Sequence, residues 1–271
     1  MNIAVLTFSP TGTSSAVAQA IARGTGRKKA ITVDVTYGQA EAQDFDRDTL
    51  VIVSVPVYGG HVAPPALKRL EHIQGHDTPA VAIVVYGNRH YEGALEQLAE
   101  FLGHRGFRVI AAGTFIGEHS YSTPETPIAA GRPNADDLRL AELFGDIIVR
   151  KLSRYPDSPA VDVSTIEPPV QDAETMQRFK KIVMGWMQQG VPMPQAPVAD
   201  AELCTGCGTC VDRCPTQAIP TDAPATTMAD ACIKCCACVK ACPTGARTFP
   251  TPFSALLSHD FATQKENMTL L

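Results

Sequence analysis

From Met1 to about Tyr155, short apolar β-branched runs alternate with stretches in which apolar residues recur at helical spacing. βαβ units produce this alternation: a parallel strand buried on both faces reads as a continuous apolar run, and its crossover helix as an amphipathic one. The pattern predicts strands near Ile3 to Phe8, Ile31 to Thr36, Leu50 to Val55, Ala80 to Tyr86 and Arg108 to Thr114. Helices are expected to start near Thr13, Pro64, Tyr91 and Asn134. For the last of these Asn134 is a cap, Asp136 and Asp137 suit the positive end of the dipole, and Arg150 and Lys151 the negative end. Its stripe of Leu140, Leu143, Phe144, Ile147 and Ile148 is expected to face the sheet. Residues 1–154 thus read as a doubly wound α/β domain.

Beyond Tyr155 the composition turns to Pro, Asp and Ser through Pro169, which reads as linker. Met176, Phe179, Ile182, Val183 and Trp186 then recur at helical spacing, as in a helix that docks between domains. A second proline-rich stretch, Val191 to Val198, completes a linker region of 155–198 and introduces a compact module at 199–248. The tail, 249–271, is expected to form a short helix folded back onto the first domain.

Composition narrows the function. The 271 residues are 45% hydrophobic and 19% charged, with a net charge of -5. That is an ordinary globular balance with no electrostatic footprint for nucleic acid, so small molecules or other proteins are the expected partners. No apolar run approaches the roughly 20 residues of a membrane span and the N-terminus has no basic n-region, so a cytoplasmic chain is expected. Cysteine usage is polarised: all nine lie between Cys204 and Cys242. In such a compartment metal ligation is the better reading than a disulfide framework.

The cysteines form a duplicated pattern. Cys204-x2-Cys207-x2-Cys210-x3-Cys214-Pro215 recurs 28 positions later as Cys232-x2-Cys235-x2-Cys238-x3-Cys242-Pro243. Thiolates suit zinc and iron-sulfur clusters alike, so spacing decides: zinc ribbons use separated CxxC pairs, whereas a run of four ending in Cys-Pro is a cluster spacing. Residues 200–247 closely resemble the bacterial two-cluster ferredoxin family, down to the matched Cys-Pro-Thr-x-Ala segments at Cys214 and Cys242. The resemblance implies one [4Fe-4S] cluster on Cys204, Cys207, Cys210 and Cys242, and another on Cys232, Cys235, Cys238 and Cys214. Cys236 is left over, read as a small buried hydrophobe. Lys234 replaces the Gly206 of the first run, a cation expected to raise the second cluster's potential.

After the first strand comes Ser9-Pro10-Thr11-Gly12-Thr13-Ser14, leading straight into a helix. Hydroxyls and a glycine without lysine exclude a nucleotide P-loop, and the missing G-x-G-x-x-G argues against a dinucleotide. Amides at a helix N-terminus, helped by Ser9, Thr11, Thr13 and Ser14, suit a phosphate monoester. Two further loops follow strands at the same carboxyl edge: Pro56-Val57-Tyr58-Gly59-Gly60-His61 and Tyr86-Gly87-Asn88-Arg89-His90-Tyr91. Glycine lets backbone approach a flat ring, and either Tyr58 or Tyr91 is placed to stack on it. Together the three loops resemble those of the flavodoxin family over residues 1 to about 150. The resemblance implies FMN and a five-stranded parallel sheet of order 2-1-3-4-5. Arg89 departs from the acidic surroundings usual there; beside the ring it would favour an anionic reduced flavin.

The connection from Gly117 to Pro133 is long enough to be functional, and His119 in it is the one group considered for proton transfer. Asp44, Asp46 and Asp48 lack the glycine and glutamate of an EF-hand, and His72 and His76 lack a third ligand. The whole chain therefore resembles flavodoxin-ferredoxin fusions, which implies an electron relay between FMN and two [4Fe-4S] clusters. The rivals are an FMN-dependent reductase fed by the clusters and a non-redox zinc-bearing scaffold.

Overall fold

The computed structural model describes residues 1–166 and 173–271. Pro168 and Pro169, which end the expected first linker, lie outside the described residues. The described residues pack as two compact units, each discontinuous in sequence: 1–118, 129–166 and 265–271 in the first, 119–128 and 173–264 in the second.

The first unit is built on five parallel strands, β1 (Asn2–Thr7), β2 (Ile31–Asp34), β3 (Thr49–Tyr58), β4 (Thr78–Tyr86) and β5 (Phe107–Ile116). They pair in the order β2-β1-β3-β4-β5. Every residue of β4 is buried, as a central parallel strand covered on both faces requires. The helices are α1 (Thr13–Gly24), α2 (Pro64–Arg69), α3 (Ala94–His104) and α4 (Ala135–Arg154). The register sets Thr7 beside Ser54 and Pro56 beside Val85, so the carboxyl ends of β1, β3 and β4 open at one edge.

Two glycines set the closeness of α1 and α4. A Cβ on Gly24 would lie 1.9 Å from the Glu142 carbonyl oxygen, and one on Gly145 2.1 Å from that of Ile21. This approach turns α4 away from its expected face. Ala141, Phe144, Ile148 and Leu152 are buried, whereas Leu140, Leu143 and Ile147 are 37%, 52% and 45% exposed. Small residues beside α1 outrank large apolar ones, because backbone contact needs space that leucine would fill.

Asn134 caps α4 as its sequence predicts, its Oδ1 accepting from the Asp136 and Asp137 amides at 3.0 Å each. Asp137 does more than favour the dipole. Its carboxylate accepts from the Asn134 amide at 2.7 Å, from Arg132 through both oxygens, and from Asn267 Nδ2 at 2.6 Å. Asn267 precedes the strand Met268–Leu270, which pairs antiparallel with β5, and its Oδ1 accepts from the Ile116 amide at 2.8 Å. The tail thus adds a strand to the first unit, not the helix that was expected there.

The second unit holds α5 (Ala173–Gln188), α6 (Thr209–Asp212), α7 (Ala237–Lys240) and α8 (Pro252–Asp260), with a two-stranded ribbon of Val198–Ala199 and Arg247–Thr248. Within this unit the stripe on α5 is in use: Met176 and Phe179 pack with Leu257, Phe261 and Ile128, and Trp186 meets Phe253 edge-on at 5.3 Å. The tail's helix, α8, is also here. So is part of the connection after β5: Lys240 Nζ donates to the Ser122 carbonyl at 2.7 Å, and Ser254 and Ser258 donate to the carbonyls of Tyr121 and Pro127.

Two outcomes are expected. Gly145→Ala forces backbone apart and should lower stability by about 1–3 kcal/mol in chemical denaturation; an unchanged midpoint would mean the helices do not pack this closely. Burial alone would raise the Asp137 pKa, but its bonds to Arg132, Asn134 and Asn267 outweigh that and lower it below 3.8. A depressed carboxylate pKa contributes stability above its unfolded value that is lost as pH falls below it. Asp137→Asn should therefore flatten the fall in stability below about pH 4, measured by acid titration of the unfolding midpoint.

Candidate cofactor sites

At the carboxyl edge of the first unit, α1 begins at Gly12, whose φ of +87° is open to glycine and which offers no side-chain cap. The first-turn amides of a helix have no intrahelical partner. Here the Ser15 amide is met by Ser9 Oγ at 3.0 Å, and the Ser9 amide by Thr36 Oγ1 at 2.8 Å, which fixes the loop against the end of β2. Thr11 and Gly12 are exposed and Thr13 half-buried. Ser14 is fully buried beneath them, and its Oγ has no partner among the described residues. Gly117 closes the side of the loop: a Cβ there would stand 3.2 Å from Thr13 Cβ.

The second loop is a hairpin that the sequence reading missed. Val57 pairs with Val62 and Tyr58 with His61 across Gly59 and Gly60, both at positive φ, +60° and +89°. Two left-handed residues in succession make the primed turn that suits a two-residue hairpin. The Gly-Gly dipeptide between apolar residues was the available signal. The turn is tied to the third loop, for a Cβ on Gly60 would meet Glu92 Oε2 at 1.7 Å, and Glu92 bonds Arg89 at 2.6 Å. That ion pair offsets the Arg89 charge, which therefore does not stand as a lone cation beside a ring.

In the third loop Asn88 is fully buried at φ +62°, its Oδ1 accepting from the Lys265 amide at 3.0 Å, and Lys265 Nζ donates to the Arg89 carbonyl. Burial, with Arg89 nearby, lowers the Lys265 pKa to about 8. Lys265 lies 174 positions beyond Tyr91 in the chain, and no local pattern marks it. Tyr91 is only 6% exposed, its ring edge-on to Tyr86 at 5.6 Å and stacked on His90 at 5.2 Å. Tyr91 is thus packed against other rings, and half-buried Tyr58, beside Pro56 and Val57, keeps the more accessible ring. Gly87 stays half-buried at the mouth. His119 belongs to the second unit, where its Nδ1 accepts from the Tyr121 amide at 3.0 Å.

In the second unit the 28-residue repeat is structural as well as sequential. Gly206, Gly208 and Gly245 are left-handed, and so are their counterparts Lys234, Cys236 and Gln217. Cys236 thus occupies the turn that starts α7, where Gly208 starts α6; its side chain is 2% exposed, with Sγ 3.7 Å from the Lys234 carbonyl. Lys234 Nζ bonds Gln195 Oε1 at 3.2 Å.

The eight remaining cysteines line two cavities. Cys204, Cys207, Cys210 and Cys242 ring one space, and Cys214, Cys232, Cys235 and Cys238 another. In each, three cysteines come from one run and the fourth from the other. Backbone amides point at sulfur, from Ala218 to Cys214 at 3.1 Å and from Lys234 to Cys232 at 3.4 Å. The cavities differ in exposure. Side-chain and backbone bonds from Thr209 hold the exposed Cys207 thiol below its usual pKa. Burial instead pushes Cys235 up to about 12 and Cys238 up to about 11, with the Arg247 charge opposing it at Cys238. Among the described residues no three potential ligands converge on the position of a single ion. Soft thiolates ringing a space, with amides aimed at them, fit a cluster.

Comparison with known proteins agrees. Residues 5–131 match the family model of flavodoxin, and residues 196–243 that of a 4Fe-4S dicluster domain. Similar solved structures include a flavodoxin from the domain Archaea (18% identity, 56% of this chain and 99% of that one, TM-score 0.41). Another is the flavodiiron core Flv1 from Synechocystis sp. PCC6803 (18% identity, 57% of this chain and 36% of that one, TM-score 0.41). A third is oxidised Flavodoxin 2 from Bacillus cereus (12%, 56% and 99%, TM-score 0.41). No curated protein matches. The chain joins a flavodoxin domain to a 4Fe-4S domain, which implies FMN, iron-sulfur clusters and a role in electron transfer. Among the described residues no helix is long and apolar enough to cross a membrane.

Replacing Thr11 and Thr13 together by Ala should weaken FMN binding about tenfold or more and riboflavin binding far less, since a hydrogen bond to a charged group is worth about 1.5–3 kcal/mol. Titrations of both ligands check this; equal losses would mean the loop does not hold phosphate. Tyr58→Ala should shift the flavin absorption bands, whereas Tyr91→Phe should leave them unchanged.

Proposed function

We propose that the chain relays electrons within one molecule between FMN in the first unit and two [4Fe-4S] clusters in the second, and passes them on to redox partner proteins. The observation that carries the reading is the grouping of eight cysteines four and four around two cavities, in a chain whose other unit opens three loops at a sheet switch point. FMN takes electrons singly or in pairs and clusters take them singly, so their joining converts between two-electron and one-electron partners. Thr11, Gly12 and Thr13 would hold the phosphate, with Ser9 fixing the loop; Tyr58, Gly59, Gly60 and Gly87 would border the ring.

The ligand sets follow the cavities: Cys204, Cys207, Cys210 and Cys242 for one cluster, Cys232, Cys235, Cys238 and Cys214 for the other. Protein made anaerobically should carry about eight iron atoms and one FMN. Stoichiometric zinc without acid-labile sulfide would replace this reading with the scaffold. Cys214→Ser should alter chiefly the signal of the cluster on Cys232, Cys235 and Cys238, whereas Cys236→Ala should spare both.

Rapid mixing tests the relay. Tethering makes transfer effectively unimolecular, so the rate of cluster reduction by flavin should not change on dilution. A rate proportional to protein concentration would leave two independent carriers sharing a chain. Electrons reaching a small substrate at FMN without any protein acceptor would favour the reductase.

A further inference from the structure

The internal duplication exposes an asymmetry of charge beside the cavities. Cys214, Pro215, Thr216, Ala218 and Ile219 line the second cavity, and the residues 28 positions on, Cys242, Pro243, Thr244, Ala246 and Arg247, line the first. Each pair matches in kind except the last. Where one repeat has Ile219, the other has an arginine that is 3% exposed.

That arginine is a buried charge without a protein counter-ion. Its guanidinium donates to Thr227 Oγ1 at 2.8 Å, to the Thr226 carbonyl at 3.0 Å and to the Pro224 carbonyl, all neutral oxygens, while Nε is buried and unbonded. Among the described residues no carboxylate pairs with it. An isolated buried cation is costly unless an anion faces it, and truncation of such pairs is destabilising for the charge left behind. The anions on offer are the thiolates. Arg247 lines the cavity of Cys204, Cys207, Cys210 and Cys242, and its charge also acts on Cys232 and Cys238 of the other. Thr227, to which it donates, lines that second cavity.

Resting on the cluster reading above, we propose that Arg247 is the shared counter-cation of both clusters and sets their potentials. A cluster ligated by four thiolates is a net anion that gains a further negative charge on reduction. A fixed cation in a low-dielectric surrounding stabilises the reduced form more than the oxidised one and raises the potential. Arg247 is here a positioning charge and exchanges no electron itself.

Arg247→Gln and Arg247→Lys, made anaerobically in the full chain, separate charge from hydrogen bonding. Iron and acid-labile sulfide are measured first on the unaltered protein, where absence of clusters overturns the cluster reading and this inference with it. With clusters present, EPR-monitored titration of Arg247→Gln should move both midpoints to more negative values, and Arg247→Lys should stay near the unaltered protein. Full cluster content with unmoved midpoints in Arg247→Gln would overturn the proposal, reducing Arg247 to a clamp on the 224–227 turn. If Arg247→Gln fails to hold iron, retention by Arg247→Lys supports the need for charge, and loss in both variants overturns it.

Discussion

Four thiolates drawn around one small space repel one another, and the second unit is arranged around that cost. Burial first, and then repulsion from neighbouring cysteines, raises the thiols of Cys232, Cys235 and Cys238, so the bare protein is pressed toward neutral sulfur. Iron resolves the conflict by taking the charge into covalent bonds. The backbone contributes its share. Left-handed residues at 206, 208, 234 and 236 curl the chain so that amides converge on sulfur, and at two of these four positions the protein uses Lys and Cys rather than Gly. A side chain there is strained by roughly 1 kcal/mol. Acceptance of that strain shows how firmly the turn is imposed from outside.

The first unit treats its ligand in the opposite way. The phosphate loop relies on amides and hydroxyls, and the nearby cations are satisfied within the protein: Arg89 by Glu92, Lys265 by the Arg89 carbonyl. Such a site is formed by sheet register and loop geometry. Thr7 beside Ser54 and Pro56 beside Val85 align three strand ends, and the Gly59-Gly60 turn, Glu92 and Gly117 join their loops. The loops are held by bonds within the protein, while the buried Ser14 Oγ has no partner among the described residues.

What could be read in the chain was whatever depends on local period. The apolar runs gave the five strands, the flavodoxin likeness their order, and the Cys spacing the duplication. Contacts distant in sequence escaped. Leu140, Leu143 and Ile147 form a convincing stripe on α4, yet the backbone approach allowed by Gly24 and Gly145 decides the buried face. Tyr58 and Tyr91 read alike as candidate stacking rings, and only the fold shows Tyr86 edge-on and His90 stacked against Tyr91. Lys265 and Asn267 carry no motif; they matter because the tail returns to β5 and the third loop. Arg247 was visible as the unmatched member of the duplication, but only its burial without a counter-ion gives the mismatch meaning.

Connectivity links the two units without any appeal to how they pack. The connection after β5 is pinned in the first unit where the Glu118 amide meets the Arg132 carbonyl, and Arg132 in turn holds Asp137 at the start of α4. Between those pins, residues 119–128 belong to the second unit, where Tyr121 meets Phe249 at 5.1 Å and Ile128 packs with Leu257 and Phe261. Ordering such a segment costs about 1–2 kcal/mol of backbone entropy per residue. The contacts that offset this lie in the iron-sulfur unit. Tyr121 also lies within electrostatic reach of Cys232, Cys235 and Cys236, so the segment is packed close to the second set of thiols. Loss of that unit's fold would release a segment that begins two residues after Gly117, which borders the phosphate loop through Thr13. A chain cut into two contiguous pieces would deprive one unit of its inserted segment and the other of its last strand. Covalent joining is therefore part of how each unit is completed, over and above the tether it provides for electron transfer.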